Sequence, residues 1–402
     1  MLSDRQVELI CKSYLPRYQN VKLEILLEIA QSAAKEARES YEKLPVPRTC
    51  DLTTYTRYCV NGAIVSDVKL NVKPINSDKP QKNSFNRAVA DYFNIIPLES
   101  FDRLWTQIYK RNQTETEAQI LKDLKPLFNK LKSKYVNLTK GRNQEAEKRG
   151  YKSQLELILE IHQIPQEDYQ VFLKNKDKVI EYCQSQIPRV ELPDWFYSQF
   201  NSQCYLCKLP EFPKLKYPDE IFEFVAKEYP ILKKFRHKIR FAESSSSTFR
   251  YVKESDSFLI SIAKKHNSRH RLTALIHELG HTVAALQNFK KGIDPLTNGR
   301  YPSEIDAFKI ESNLFKKLSA QVYQAEVAGT LSTLYEIIFQ IEAYRNPDQN
   351  LPVLYGKIFK HCFPKAKLKE NYTYLINEDI VALSLRTLPH AITQVKILSS
   401  QR

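Results

Sequence analysis

Residues 275–283 read LIHELGHTV, which sets His277 and His281 four positions apart with Glu278 directly after the first. On an α-helix, residues i and i+4 share one face, one turn apart. Their imidazoles then sit roughly 6 Å apart along the axis, and both can reach a single tetrahedral Zn2+ at about 2.0–2.1 Å. Glu278 projects beside such a metal, where a carboxylate can take a proton from an acidified water and pass it to a leaving amine. A chance HExxH is expected roughly once per hundred chains of this length and composition, so the flanking sequence has to decide whether this is a site.

The flanks support one. Asn267 or Ser268 can cap a helix that begins near Arg269, while Lys290, Lys291 and Gly292 offer a basic last turn and a left-handed stop, for a helix of about 22 residues. Gly280 stands where a side chain would crowd the metal face; glycine costs about 1 kcal/mol in a helix interior, which implies such a steric reason for its presence. Upstream, TFRYVK and FLISIA bracket the polar ESDS and read as a small antiparallel sheet. FLISIA is expected at an edge, where it could pair with the backbone of a substrate.

Two imidazoles need a third ligand. Positions 284 and 287 are Ala and Gln, which excludes a third His at the metzincin spacing, and only His361 and His390 follow His281. A carboxylate on the next helix is therefore expected, from among Glu304, Asp306, Glu311 and Glu326, with Asp294 in the intervening loop. The stretch 301–318, YPSEIDAFKIESNLFKKL, starts a helix with Pro302 and Ser303 at its N-terminus. Glu304, Ala307 and Glu311 fall within about 60° of one face, whereas Asp306 points nearly opposite. Glu304 is taken as the ligand and Glu311 as the group that bonds a ligand His or the substrate amine, with Glu326 in reserve. Small Ala307 would let this helix approach the histidine helix.

Together, His277-Glu278-Leu-Gly-His281 and, 27 residues after His277, Glu304-Ile-Asp-Ala307-Phe-Lys-Ile-Glu311 resemble the gluzincin zinc metallopeptidases, most closely the oligoendopeptidase F and thimet oligopeptidase family. That family carries HExxH followed by Glu-x-x-(Ser/Ala)-x-x-x-Glu. The resemblance implies His277, His281 and Glu304 as ligands of one Zn2+ per chain, Glu278 as general base, and a mainly α helical body whose groove admits short peptides. Its motifs span about 250–335. The chain is shorter than typical members, and the family's late Gly- and Tyr-rich substrate segment is not recognisable. Tyr372 and Tyr374 in NYTYLINEDI are the candidates for that role as oxyanion donors. The Glu-x-x-Ala element is also similar to compact effector and phage-repressor-cleaving metalloproteases.

The rest of the chain fits a large helical protein. Its 402 residues suffice for two or three domains, and 8 Gly in total leave little material for Rossmann or Walker phosphate loops. Seven scattered Cys suit reduced thiols in a cytoplasmic protein. No run of 18 apolar residues exists, so no membrane span is expected. Lys122–Lys152 holds ten Lys/Arg against three Asp/Glu, within a net charge of +15. No nucleic-acid motif accompanies it, so it is read as a solvated helix face.

Three regions are expected: 1–186, mostly helical with a β-hairpin at 53–72 turning on Asn61-Gly62; a Pro-rich junction, 187–247; and a catalytic region, 248–402. Helices between about 86 and 186 are expected to break near Pro97, Pro126 and Pro165. Cys204 and Cys207 form one CxxC in the junction with no second pair in the sequence to complete a zinc ribbon. The expected function is a zinc endopeptidase of oligopeptides. The alternatives are a dedicated protease of one protein partner, effector-like or associated with nucleic acid, and a non-catalytic helical binding protein.

Overall fold

The structure is a computed structural model that describes residues 7–8, 11, 23–42, 84–97, 100–189, 192, 194–200, 204–209, 211–244, 247–252, 256–263, 267–291, 300–366, 370–382 and 384–400. The hairpin expected at 53–72, the stop at Gly292 and the loop carrying Asp294 lie outside these residues. In chain order the longer elements are α1 (Leu23–Glu42), α2 (Ser84–Phe93), α3 (Phe101–Arg111), α4 (Glu117–Lys148), α5 (Gln154–Ile161), α6 (Gln166–Ser185) and α7 (Asp219–Glu228). Strands β1 (Ile239–Ser244), β2 (Thr248–Val252) and β3 (Ser257–Ala263) follow, then α8 (Ser268–Lys290), α9 (Arg300–Leu318), α10 (Ala320–Arg345), α11 (Leu351–Cys362) and α12 (Leu388–Ser400). Among the described residues the fold is mainly α with a small three-stranded sheet, in keeping with the mainly α reading of the sequence.

Two compact units emerge, each assembled from separated segments of the chain. The first comprises 1–161, 193–202 and 335–387; the second comprises 162–192, 203–334 and 388–402.

The first unit is built on α4. Thr116 caps it in a reciprocal box with Gln119, and Ile120, Leu124, Phe128, Leu131, Tyr135 and Leu138 form its buried stripe. Pro126 was expected to break this helix but lies inside it, on the exposed side. An interior proline costs about 3 kcal/mol, whereas each large apolar side chain buried contributes about 1.5–3 kcal/mol. Six of them along one face outweigh the lost hydrogen bond. Tyr135, Phe339, Tyr355 and Tyr374 pack edge to face or tilted at the centre of this core.

The basic stretch is largely a solvated face with local pairs, including Lys134–Asp91 at 2.9 Å and Lys140–Asp348 at 2.6 Å. Arg142 is instead buried, donating to Tyr344 Oη at 3.1 Å and the Val381 carbonyl at 2.5 Å.

The second unit is centred on α8. Asn267 caps it by accepting the His270 N–H at 3.0 Å, and buried side chains surround its middle turns, so this helix is the core of its unit. The sheet has the order β1-β3-β2. β3 pairs antiparallel with β2, as the TFRYVK and FLISIA pattern implies, and parallel with β1. The sheet is therefore mixed, and β3 is central where an edge strand was expected. Charged residues in IRFAES hide β1 from a hydrophobic-pattern reading, and both faces of β3 are buried at Phe258, Ile260, Ser261 and Ile262. Its backbone is used by both neighbours, which leaves β2 and β1 as the edges.

Tyr301 donates to Asp168 Oδ2 at 2.6 Å and Lys396 pairs with Asp168 Oδ1 at 2.6 Å, tying α6, α9 and α12 together. Among the described residues, no helix is long and apolar enough to cross a membrane.

Candidate metal centre

α8 presents His277 and His281 one turn apart, and α9 packs against it. Gly280 makes the approach possible: a Cβ at this position would lie 3.0 Å from the Ala307 carbonyl oxygen and 3.1 Å from its Cα. The steric reason for this glycine is thus a helix crossing at Ala307, which brings the next turn of α9 to the histidines.

Three donors converge there. His277 Nε2 is 3.2 Å from His281 Nε2 and 3.4 Å from Glu304 Oε2, while His281 Nε2 is 3.6 Å from Glu304 Oε2. Ligands at about 2.0–2.1 Å from a tetrahedral ion stand about 3.3–3.4 Å from one another. The observed edges bracket that value, so the donors fit a small divalent cation without rearrangement. His277, His281 and Glu304 form one of two groups that could hold a metal among the described residues.

The remaining atoms of these side chains are also held. His277 Nδ1 donates to Glu311 Oε2 at 2.6 Å and His281 Nδ1 lies 2.9 Å from Ser303 Oγ, so each ring turns Nε2 toward the centre. Glu304 Oε1 meets His390 Nε2, from α12, at 2.8 Å. Phe308 packs edge-on to His277 and His390, and Phe249 of β2 stacks on His281.

The electrostatics follow from burial against mutual charge. Burial alone would depress the His277 pKa, but the charges and hydrogen bonds of Glu311 and Glu304 outweigh it and hold it well above the ordinary histidine value. Burial would raise Glu304, yet His390 and His281 hold its carboxyl well below the usual range. The centre thus sets the charged Glu304 carboxylate against an imidazole that favours its proton, a balance in which a divalent cation can replace the proton.

The expected residues divide as follows. His277, His281 and Glu304 come together as one triangle, and Glu311 stands behind His277. Glu278 is buried on the same turn of α8. Glu326 is outside the triangle, beside an apolar cavity lined by Phe308, Glu311, Phe315, Tyr323 and Leu398. Burial and the nearby Glu311 charge push its carboxyl up to about 8.

Tyr374 is 1% exposed in the aromatic core of the first unit. Tyr372, in the same unit, donates to Glu370 at 2.6 Å and lies against Lys132. Both have partners within the first unit. Ser303 and His390 had not been assigned to the site. His390 is one of only two histidines after the motif, and that scarcity was the signal available for it.

No sequence-family model matches the chain, and no curated protein matches it. Its fold is similar to that of a solved oligoendopeptidase F structure, with a TM-score of 0.52 and 13% identity over 95% of this chain and 87% of that one. PZ peptidase A, with an inhibitor, aligns at a TM-score of 0.47 and 14% identity over 98% of this chain and 71% of that one. A Pyrococcus furiosus carboxypeptidase aligns at a TM-score of 0.47 and 14% identity over 99% and 84%. At these identities the likeness is one of fold: the chain has the helical fold seen in oligoendopeptidase F.

Proposed function

We propose that this protein is a zinc-dependent endopeptidase acting on oligopeptides, with Glu278 as its general base. The observation that carries the reading is the triangle of His277 Nε2, His281 Nε2 and Glu304 Oε2, with edges of 3.2–3.6 Å, on the fold of oligoendopeptidase F. A set of two imidazoles and one carboxylate suits Zn2+ with a position left open, the arrangement of a catalytic rather than a structural site.

When bound there, the metal supplies Lewis-acid polarisation of the scissile carbonyl and a lowered pKa for water. The protein's own groups do the rest. Glu278, one residue from a ligand and on the same turn, takes the proton of the attacking water and returns it to the leaving amine. Glu311 holds His277 in the tautomer that leaves Nε2 free to bind, and Ser303 orients the His281 ring through Nδ1. His390 fixes the carboxylate plane of Glu304 through Oε1.

Cleavage of a peptide library by the wild type and by Glu278→Gln, read by mass spectrometry alongside metal content, tests the reading. The variant should retain one metal at the triangle and lose at least about 100-fold in turnover, the scale of a general base. Undiminished cleavage by Glu278→Gln would remove it from that role.

A further inference from the structure

The second unit holds a different constellation of donors. Cys204, Cys207 and His270 each offer a ligand atom within 4.8 Å of the others. Cys204 Sγ lies 3.2 Å from Cys207 Sγ and 3.1 Å from His270 Nε2. Cys207 lies in a 3-10 turn, Leu206–Lys208, with Cys204 just before it, and His270 comes from the first turn of α8, 66 residues on from Cys204. The His that the CxxC lacks in sequence is thus supplied by the fold.

The surroundings prepare these atoms for a soft cation. Asn267 Oδ1 accepts the His270 backbone N–H at 3.0 Å, which fixes the amide's orientation, and the same oxygen lies 3.1 Å from His270 Nδ1. Nδ1 therefore carries the ring proton, and the Nε2 lone pair points at Cys204. The Asn267 amide nitrogen, 3.6 Å from Cys207 Sγ, donates to that sulfur. One side chain caps the helix, sets the histidine tautomer and supports a thiolate, the work of a group behind a metal ligand. Arg269, on the same turn, donates to the Leu206 carbonyl and ties the CxxC turn to the helix start.

We propose that Cys204, Cys207 and His270 bind a second Zn2+, separate from the His277 centre, which clamps the CxxC turn to the N-terminus of α8. Two sulfurs and an imidazole are a zinc donor set, with bonds of about 2.3 Å to sulfur and 2.0–2.1 Å to nitrogen. These imply tetrahedral edges of about 3.8 Å between sulfurs and about 3.5 Å from sulfur to nitrogen, so the trio opens by about half an ångström on loading. Cys207 is exposed and Cys204 half-buried, and a water completes the coordination. Loading displaces the thiol protons to solvent, with no change of oxidation state. His270 is seven residues before His277 on one helix, about 10.5 Å along its axis, so the ion anchors the helix that carries the other centre.

Cobalt distinguishes the two sites without reference to activity, because only this one contains sulfur. The full chain, kept in reductant and loaded with Co2+, should show a sulfur-to-cobalt charge-transfer band in the near ultraviolet that Zn2+ abolishes. The band should persist in the His277→Ala/His281→Ala variant and vanish in Cys204→Ser/Cys207→Ser. Native mass spectrometry should count two Zn2+ in the wild type and one in each of these variants. His270→Ala, which leaves both thiols in place, should weaken Co2+ binding at the sulfur site by more than about 10-fold. Absence of the band from reduced wild type overturns the proposal, as does its survival in Cys204→Ser/Cys207→Ser. A Cys204–Cys207 disulfide that persists in reductant also overturns it. Failure of Glu278→Gln to lose turnover would leave this test untouched.

Discussion

Gly280 and Ala307 touch backbone to backbone, so that a single methyl at position 280 would come within 3.0 Å of the Ala307 carbonyl oxygen. A carbonyl on a packed helix cannot swing away as a side-chain tip can. Gly280→Ala gains up to about 1 kcal/mol in helix propensity, but overpacking a tight contact costs about 1–3 kcal/mol. The variant should therefore be destabilised by up to about 2 kcal/mol, where an exposed glycine in a helix would give stabilisation. Because the displaced helix carries Glu304, zinc affinity should fall as well. Denaturant unfolding together with zinc titration checks both. A stabilised variant with unaltered zinc binding would show that the crossing does not set the ligand geometry.

Glu311 meets His277 Nδ1 at 2.6 Å, and the role proposed for it is to aim the ring. Replacing it with Ala should weaken zinc binding about 10–100-fold, the usual cost of losing such a partner, while the far-ultraviolet circular dichroism of the protein stays unchanged. Glu311→Gln, whose carbonyl can still accept from Nδ1, should lose less than Glu311→Ala. Competition with a chromophoric chelator measures both, and equal losses would argue against the orienting role.

His390 makes a parallel case through the carboxylate ligand. It lies 2.8 Å from Glu304 Oε1, the oxygen turned away from the histidine pair. His390→Ala should lower zinc affinity by up to about 10–100-fold, and His390→Gln, which can still donate to Oε1, should recover part of the loss. Isothermal titration with zinc separates these outcomes, and full affinity in His390→Ala would detach the residue from the site.

How far the site was legible in the sequence depends on the span of chain each inference crossed. His277, Glu278, His281, Glu304 and Glu311 lie on two consecutive helices, and helical spacing alone puts each set on one face, so local periodicity suffices. Ala307 was legible for the same reason, since a small residue marks where helices can approach, whereas Gly280 reads in the sequence as room at the metal face and in the structure faces the Ala307 backbone. Ser303 lies beside Glu304, but a serine at a helix start has an ordinary capping explanation and was read that way. His390 and His270 reach their partners only through tertiary packing: α12 is brought in by the Asp168 network, and the CxxC turn meets α8 across 66 residues. No periodicity encodes such contacts.

The sheet shows the same limit. The antiparallel β2–β3 pair was visible as two adjacent β-rich runs, whereas the parallel partner β1 is a charged strand whose pairing depends on a crossover. Pro126 shows the converse, a strong local signal overruled by an apolar stripe running the length of α4. Tyr374 sits in an aromatic cluster made of residues far apart in the chain, a packing that no local pattern encodes.

The pH dependence of metal binding follows from His277. With no metal bound, Glu311 and Glu304 outweigh burial and keep the imidazole protonated well above its ordinary value of 6.5. Only the neutral ring can bind zinc, so the proton must leave first. A raised pKa means that the proton competes at neutral pH: apparent affinity should climb as pH rises and level off only above the raised pKa. Below that point the slope should be roughly tenfold per pH unit for the single proton displaced. Glu304 does not oppose this, because its carboxyl is held well below the usual range and stays ionised throughout. Glu311→Gln removes the first of the charges that raise His277, so its plateau should begin at a lower pH than that of the wild type. Zinc titrations at intervals from about pH 6 to about pH 8, in buffers that do not bind zinc, read both slopes. A wild-type affinity that is flat over that range would mean that His277 is already neutral before the metal arrives.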